Sequence, residues 1–378
     1  MKKILLSLIL TSTISFFMNA RVITVSNNAN SPGQFTDLQL ACDAASENDT
    51  IYIHASGKEY LGANVRKKLV FIGEGTLPNQ QIGLRTYIGQ LYFAFASFGG
   101  IETTSLATSS GSKVYGCEGK FVIGTDKDRN GLFGFTFERC RGQVENESNT
   151  TLKDIKINQF IGSVIFHYNS TNNKTSTNIL ITNSVLYGVS ISSSLGSLGN
   201  NNVVRNCIIN INSASISASL VVNNIFYKQS IGDLLNDIGW GISSWNSTFS
   251  NNLYFAKALP NFNQNGYNTN TASGNVASAD SLFIFPYGIA QLPGYGTYGP
   301  EFPDFHLKPG SPALTMGTDG TQIGIYGGTT PWIDGGEGIF RYGTMPSQVP
   351  YVTDMDILNT AIPENGTLNV KIKARTQQ

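Results

Sequence analysis

Between Ile157 and Phe255 the chain returns to one short phrase: an apolar residue, a spacer, an amide, a spacer and a second apolar residue. It reads Ile181-Thr-Asn183-Ser-Val185, Val204-Arg-Asn206-Cys-Ile208, Val221-Val-Asn223-Asn-Ile225 and Phe249-Ser-Asn251-Asn-Leu253, and Ile157-Asn-Gln159-Phe-Ile161 carries Gln in the amide place. The steps between amides are 24, 23, 17 and 28 residues. Such steps are too long for hairpins and too uneven for a helical array, but each suits one coil of a solenoid.

If each phrase is a strand, its side chains alternate, so the two apolar residues share the face of the amide between them and all three point inward. A buried carboxamide without partners costs on the order of a few kcal/mol, so a chain that repeats one must supply partners. Coils stacked about 4.8 Å apart do so, each amide bonding those above and below. The expectation is an inward ladder of Gln159, Asn183, Asn206, Asn223 and Asn251 in an all-β, right-handed parallel β-helix.

Residues 1–20 have the form of a secretory signal peptide: Lys2 and Lys3, the apolar run Ile4 to Leu10, and Ala20 at the cleavage position. That run is too short and too broken by Thr and Ser to span a membrane. The mature chain is therefore expected to be exported, to the periplasm, the cell surface or beyond, with no transmembrane segment. Charged residues are only 13% and the net charge is zero, which argues against a nucleic-acid partner. Four cysteines, Cys42, Cys117, Cys140 and Cys207, allow three pairings. Their spacing fits no compact disulfide framework or zinc pattern, which favours small buried side chains in the coil.

Thr36-Asp-Leu-Gln39 has the pattern of a capping box opening a short helix with Leu38, Ala41, Cys42 and Ala45 on its apolar face. A solenoid exposes its core at each end, and this helix is placed to cap the first. Phe35-Thr-Asp-Leu38, then Ala41, Ala44 and Ala45, then Asp49-Thr-Ile-Tyr-Ile53 and Lys67-Lys-Leu-Val-Phe-Ile-Gly73 together resemble the opening of secreted bacterial β-helix proteins of the pectin-lyase-like superfamily. Ala279-Asp-Ser-Leu-Phe283, Asp304-Phe-His-Leu-Lys-Pro-Gly-Ser-Pro-Ala313, Gly317 and Ile323-Gly-Ile-Tyr-Gly327 resemble the final coils of the same group. The solenoid is thus expected over residues 21–330. Residues 331–378 read as a linker and a short strand appendage, with a tight turn at Asn365-Gly366.

The resemblance implies a fold that hosts many chemistries, so activity must be argued from side chains. Glycoside hydrolases need converging carboxylates, and the polygalacturonase-like branch carries adjacent aspartates and a Gly-His-Gly, neither of which is present here. Lyases need a base and a cation against the uronate carboxylate. With Ile155 and Ile157 inward, Asp154, Lys156 and Asn158 face outward, and Arg205 falls in the column of Asn158 two coils on, about 10 Å along the axis. Asp154, Lys156 and Arg205 are accordingly the catalytic candidates, with Lys156 or Arg205 as base; the plainer reading is a solvated charged face.

Asp126-Lys-Asp128-Arg-Asn130-Gly131 offers oxygen ligands at the first, third and fifth places of a calcium loop, but the twelfth is Phe137. Asp126, Asp128 and Asn130 are therefore candidates for a Ca²⁺ turn outside an EF-hand, against an ordinary Asp-Asn-Gly turn. The longest step between amides holds Trp240 and Trp245 with Asp233 and Asp237, a set suited to stacking on a sugar ring. These features point to contact with an extracellular or cell-wall polysaccharide, with β-elimination as the chemistry if the chain is an enzyme. The alternative is a non-catalytic structural or adhesive surface protein.

Overall fold

In the coils from Gly111 to Asn251, two residues each take a backbone conformation that L-amino acids avoid, and these corners set the cross-section. Asn178, Asn201, Ala218 and Asn246 have φ of 55°, 51°, 50° and 55°, and five residues after each stand Asn183, Asn206, Asn223 and Asn251 with φ of 47°, 55°, 59° and 51°. The same pairing recurs earlier as Gly111 with Gly116, Gly134 with Arg139, and Asp154 with Gln159. Gly, Asn and Asp are the residues that enter this left-handed region at least cost. Between the two corners runs a strand of one sheet, and past the second corner begins a strand of another.

The computed structural model describes residues 20–73, 86–93, 109–124, 132–146, 151–167, 176–191, 201–210, 214–227, 244–263, 269–279, 305–332, 351–357 and 370–375. Among these, one sheet has 12 strands and the other 11. The first sheet begins at Val22–Val25 and ends at Thr271–Ser273, and the second runs from Ala63–Val65 to Val276–Ser278. Neighbours pair in parallel and in register, as in Leu180 with Val203 and Val185 with Ile208. The architecture is a right-handed parallel β-helix. No helix among the described residues is long and apolar enough to cross a membrane.

The amide phrase is a corner rather than a strand, and this corrects the expected ladder. Its first apolar residue (Ile157, Ile181, Val204, Val221, Phe249) belongs to the core inside the coil. Its second (Ile161, Val185, Ile208, Ile225, Leu253) belongs to a separate cluster. The left-handed residue between them breaks the period-two alternation on which the inward reading rested. Each corner amide instead uses its backbone N–H to tie coils together: Gln159 donates to Thr182 O, Asn183 to Arg205 O, Asn206 to Val222 O, Asn223 to Ser250 O and Asn251 to Ser273 O.

The inward ladder lies one residue later. Asn224 Nδ2 donates to Asn252 Oδ1 at 3.0 Å, and Asn252 Nδ2 donates to Asn275 Oδ1 at 3.0 Å. The backbone N–H groups of Cys207, Asn224 and Asn252 donate to the amide oxygens of Asn224, Asn252 and Asn275 respectively. Ser184 fills the same place two coils before Asn224, accepting from Phe160 N at 3.1 Å. At the first corner Asn202, Ser219, Ser247 and Asn270 are a second such column, with Ile179 N donating to Asn202 Oδ1 and Ser247 N to Asn270 Oδ1. Elsewhere the interior is aromatic, with Phe226 stacked on Tyr254 at 4.7 Å and Phe93 edge-on to Phe135 at 5.2 Å.

Residues 305–332 are not further coils, contrary to the expectation from their sequence. They form a strap laid over the outside of the stack. Phe305, Leu307, Ala313, Ile323, Ile325 and Trp332 share a cluster with the outward apolar column from Ile161 to Leu253. The corner amides hold the strap by its backbone and side chains: Asn251 Nδ2 donates to Met316 O, Asn223 Nδ2 to Thr318 Oγ1, Asn183 Nδ2 to Ile325 O and Gly327 O, and Gln159 Nε2 to Pro331 O. The strap therefore runs backward along the axis, from the coil of Asn251 to that of Gln159.

At the other end, helix α1 (Leu38–Ala44) buries Leu38, Ala41 and Cys42 and contacts the first strand of each sheet. Its N-cap is Asp37, which accepts from Leu40 N at 2.9 Å, not Thr36; Gln39 turns instead to Asn64 and Asp43. Just beyond it, buried Asp49 accepts from Arg21 N, Arg21 Nε and Ser46 N at 2.8 to 2.9 Å. The strands Tyr351–Ile357 and Val370–Arg375 pair as an antiparallel hairpin.

Two outcomes follow from this bonding. Asn252→Ala strips the acceptor from Asn224 N and from Asn224 Nδ2, and should lower the unfolding free energy in urea titrations by about 3 kcal/mol, the cost of leaving buried donors unmet. Burial tends to raise the Asp49 pKa, but the hydrogen bonds from Arg21 and Ser46 outweigh it and hold the carboxyl below its ordinary 3.8. A depressed folded pKa gives stability that is whole above the unfolded value and fades as pH falls through the folded one. The penalty for Asp49→Asn should therefore be constant near neutrality and shrink as pH falls below 3.8.

Candidate functional site

Three successive strands of the second sheet carry a glycine in register: Gly119, Gly142 and Gly162. A Cβ at Gly142 would lie 2.0 Å from Gly119 O, and one at Gly162 would lie 1.8 Å from Gly142 O, with φ of 124° and 144°. No side chain fits there, so the three buried glycines form a strip of bare backbone between the residues on either side. The residues before the glycines are Glu118, Arg141 and Ile161, and those after are Lys120, Gln143 and Ser163. The sequence thus borders the strip with polar groups on both sides.

A β-bulge completes the wall. Gly162 pairs with Leu186 but Ser163 pairs with Gly188, which leaves Tyr187 as the extra residue. Bulges re-aim side chains in this way. Tyr187 joins Lys120, Arg141, Gln143, Ser163 and Ile161 around a cleft of about 200 Å³ over Gly89, Gly142 and Gly162. That volume is below the roughly 300–1,000 Å³ of drug-sized pockets. It admits one ring or one charged substituent.

Charge in the cleft is arranged in layers. Arg141 is 1% exposed and stands opposite the buried Glu118. Lys120 Nζ pairs with Glu145 Oε1 at 2.7 Å, and Glu145 also accepts from Gln143 Nε2. The two cations line the cleft, whereas neither carboxylate does. The Tyr187 hydroxyl is buried without a hydrogen-bond partner among the described residues. Burial pushes its pKa well up, Arg141 draws it down by less, and Glu118 raises it again. The phenol stays protonated at neutral pH and can donate a hydrogen bond.

The residues expected from sequence fall elsewhere. Arg205 does sit in the column of Asn158, through Thr182, on the first sheet. Lys156 is exposed two residues away on the strand and two coils back, and among the described residues no ion pair joins Asp154, Lys156 and Arg205. Asp154 is a corner residue that accepts from Asn178 Nδ2. Asn158, expected to face water, is 4% exposed and accepts from Thr182 Oγ1 at 2.7 Å. Trp245 lies at a first-corner turn, where its carbonyl accepts from Ala218 N. Trp240, Asp233 and Asp237, and the calcium-turn candidates Asp126, Asp128 and Asn130, lie outside the described residues.

A signal for the cleft was present in the chain. Glu118-Gly-Lys120, Arg141-Gly-Gln143 and Ile161-Gly-Ser163 repeat at steps of 23 and 20 residues, the steps that separate the corners Gly116, Arg139 and Gln159. No protein-family model matches the chain, and a search of curated proteins finds no match to it. Gly142→Ala should cost about 2–4 kcal/mol, since the added methyl meets backbone that cannot move aside. Ser163→Ala at the rim should change stability by less than about 0.5 kcal/mol. Thermal unfolding of the two variants measures both.

Proposed function

We propose that this is an exported β-helix protein that binds an anionic extracellular or cell-wall polysaccharide, and that its contact point is the cleft over Gly142 and Gly162. The observation that carries this reading is the ring of donors around bare backbone: the Arg141 guanidinium, the Lys120 ammonium, the Gln143 amide and the Ser163 and Tyr187 hydroxyls. A pyranose ring offers oxygens at its rim and an apolar face, and a strip without side chains lets that face approach while the rim is bonded. Glu118 is the register neighbour of Arg141 and Glu145 bonds Lys120, and neither carboxylate lines the cleft.

Binding without turnover fits this cleft better than β-elimination. Elimination needs a group that accepts a proton near neutral pH, and Tyr187 is held in its protonated form. Lys156 and Arg205, the bases suggested by sequence, stand on the other sheet. A lyase reading would place the substrate there, with the Asp126 turn as a source of Ca²⁺, and it is kept as the rival outcome.

The mature chain, offered a panel of acidic and neutral polysaccharides with and without calcium, should be retarded by acidic members in affinity electrophoresis and release no unsaturated product absorbing in the ultraviolet. Lys120→Ala and Tyr187→Phe should each weaken binding about tenfold, the equivalent of one charge-assisted or buried hydrogen bond. Product release that stops in Lys156→Ala would overturn the binding-only reading. Binding that is indifferent to Lys120 and Tyr187 but lost in Trp245→Ala would move the site to the Trp240–Trp245 loop.

A further inference from the structure

The inward position after the second corner is polar at Ser184, Asn224, Asn252 and Asn275, apolar at Phe160, and a thiol at Cys117, Cys140 and Cys207, of which the first two stand on consecutive coils. Cys117 follows Gly116 and Cys140 follows Arg139. The adjacency is fixed by Arg141, which pairs with Glu118 and donates its N–H to Cys117 O at 3.0 Å. Phe160 and Ser184 separate Cys140 from Cys207, and Cys42 lies in α1, so neither of these shares the contact. Coils about 4.8 Å apart put the two Cα atoms inside the roughly 4.4–6.8 Å window of a disulfide.

We infer that Cys117 and Cys140 are a redox pair that closes to a disulfide joining successive coils when the chain folds in an oxidising environment. In the reduced form seen here both are free thiols. Cys140 donates to Glu138 O at 3.3 Å and Val114 O at 3.4 Å, and Cys117 donates to Tyr115 O at 3.3 Å. The oxidant is a thiol-exchanging disulfide. One cysteine thiolate attacks it and expels a thiolate leaving group; the second cysteine, deprotonated, then attacks the mixed disulfide and expels the other. The S–S bond forms as the reagent is reduced to two thiols, and the two cysteine protons end on them.

The order of events is set by burial. Both side chains are fully covered, and burial pushes the Cys140 thiol up to about 12 and Cys117 well above its usual value. A folded coil therefore supplies neither the thiolate nor a path for the oxidant. Closure belongs to the interval before the coils of Cys117 and Cys140 pack, and the finished bond is shielded from reductants by the same walls.

The test is refolding of the full chain with and without oxidised glutathione, followed by denaturing alkylation. With the oxidant, the chain should be about 2 Da lighter, should alkylate at Cys42 and Cys207 alone, and should yield one peptide linking Cys117 to Cys140 and a higher unfolding midpoint. The double variant Cys42→Ser, Cys207→Ser should keep the link. Four alkylatable thiols after oxidative refolding, or a link through Cys42 or Cys207, would overturn the pairing. Ready oxidation of the already folded reduced chain would overturn the claim that closure precedes packing.

Discussion

From Gly111 to Asn251 the fold depends on paying for two left-handed residues per coil. Each corner forces a change of direction that ordinary strand geometry does not provide, and each is occupied mainly by Asn, Asp or Gly because those residues bear the conformation most readily. Once the corners are fixed, the sheets are flat enough between them to stack in register. The residue after each corner then turns inward with its backbone N–H facing the next coil. Where that residue is Asn or Ser, its side chain supplies the acceptor, so the polar interior follows from corner geometry and is not an independent feature.

Corner amides and ladder amides divide two tasks. Asn224, Asn252 and Asn275 satisfy one another inside the coil, while Asn183, Asn223 and Asn251 reach outward to the strap. An apolar column left on the outside of the second sheet would be an aggregation hazard, and the strap covers it from Ile161 to Leu253. In the two coils before Ile161 that column holds Arg141 and Glu118. The cleft thus lies where the outer surface changes from a covered apolar seam to a polar one, with Ile161 and Tyr187 belonging to both.

The period of the coil was legible because Asn183, Asn206, Asn223 and Asn251 mark the same corner in four successive turns. Their direction was not, because alternation holds only while the chain stays extended, and φ turns positive at the very residue used to define the face. Residues 305–332 misled for a related reason. Phe305, Leu307, Ile323 and Ile325 alternate with polar neighbours as strand residues do, yet they cover the outside of existing coils. The cleft was missed because its floor has no side chains and Tyr187 enters through a bulge that sequence spacing cannot reveal. Arg205 was placed correctly in its column because uninterrupted strands carry the register from Asn158 through Thr182.

In an ordinary solenoid each coil touches only its neighbours, so unravelling can begin at an end and proceed one repeat at a time. Here a segment made late in synthesis grips coils made some 65 to 172 residues earlier. The turns from Gln159 to Asn251 are thereby bound to a common fastener. Pulling or heating should release them together rather than peel them singly, and the stack cannot reach its final mechanical strength until residues 305–332 have arrived.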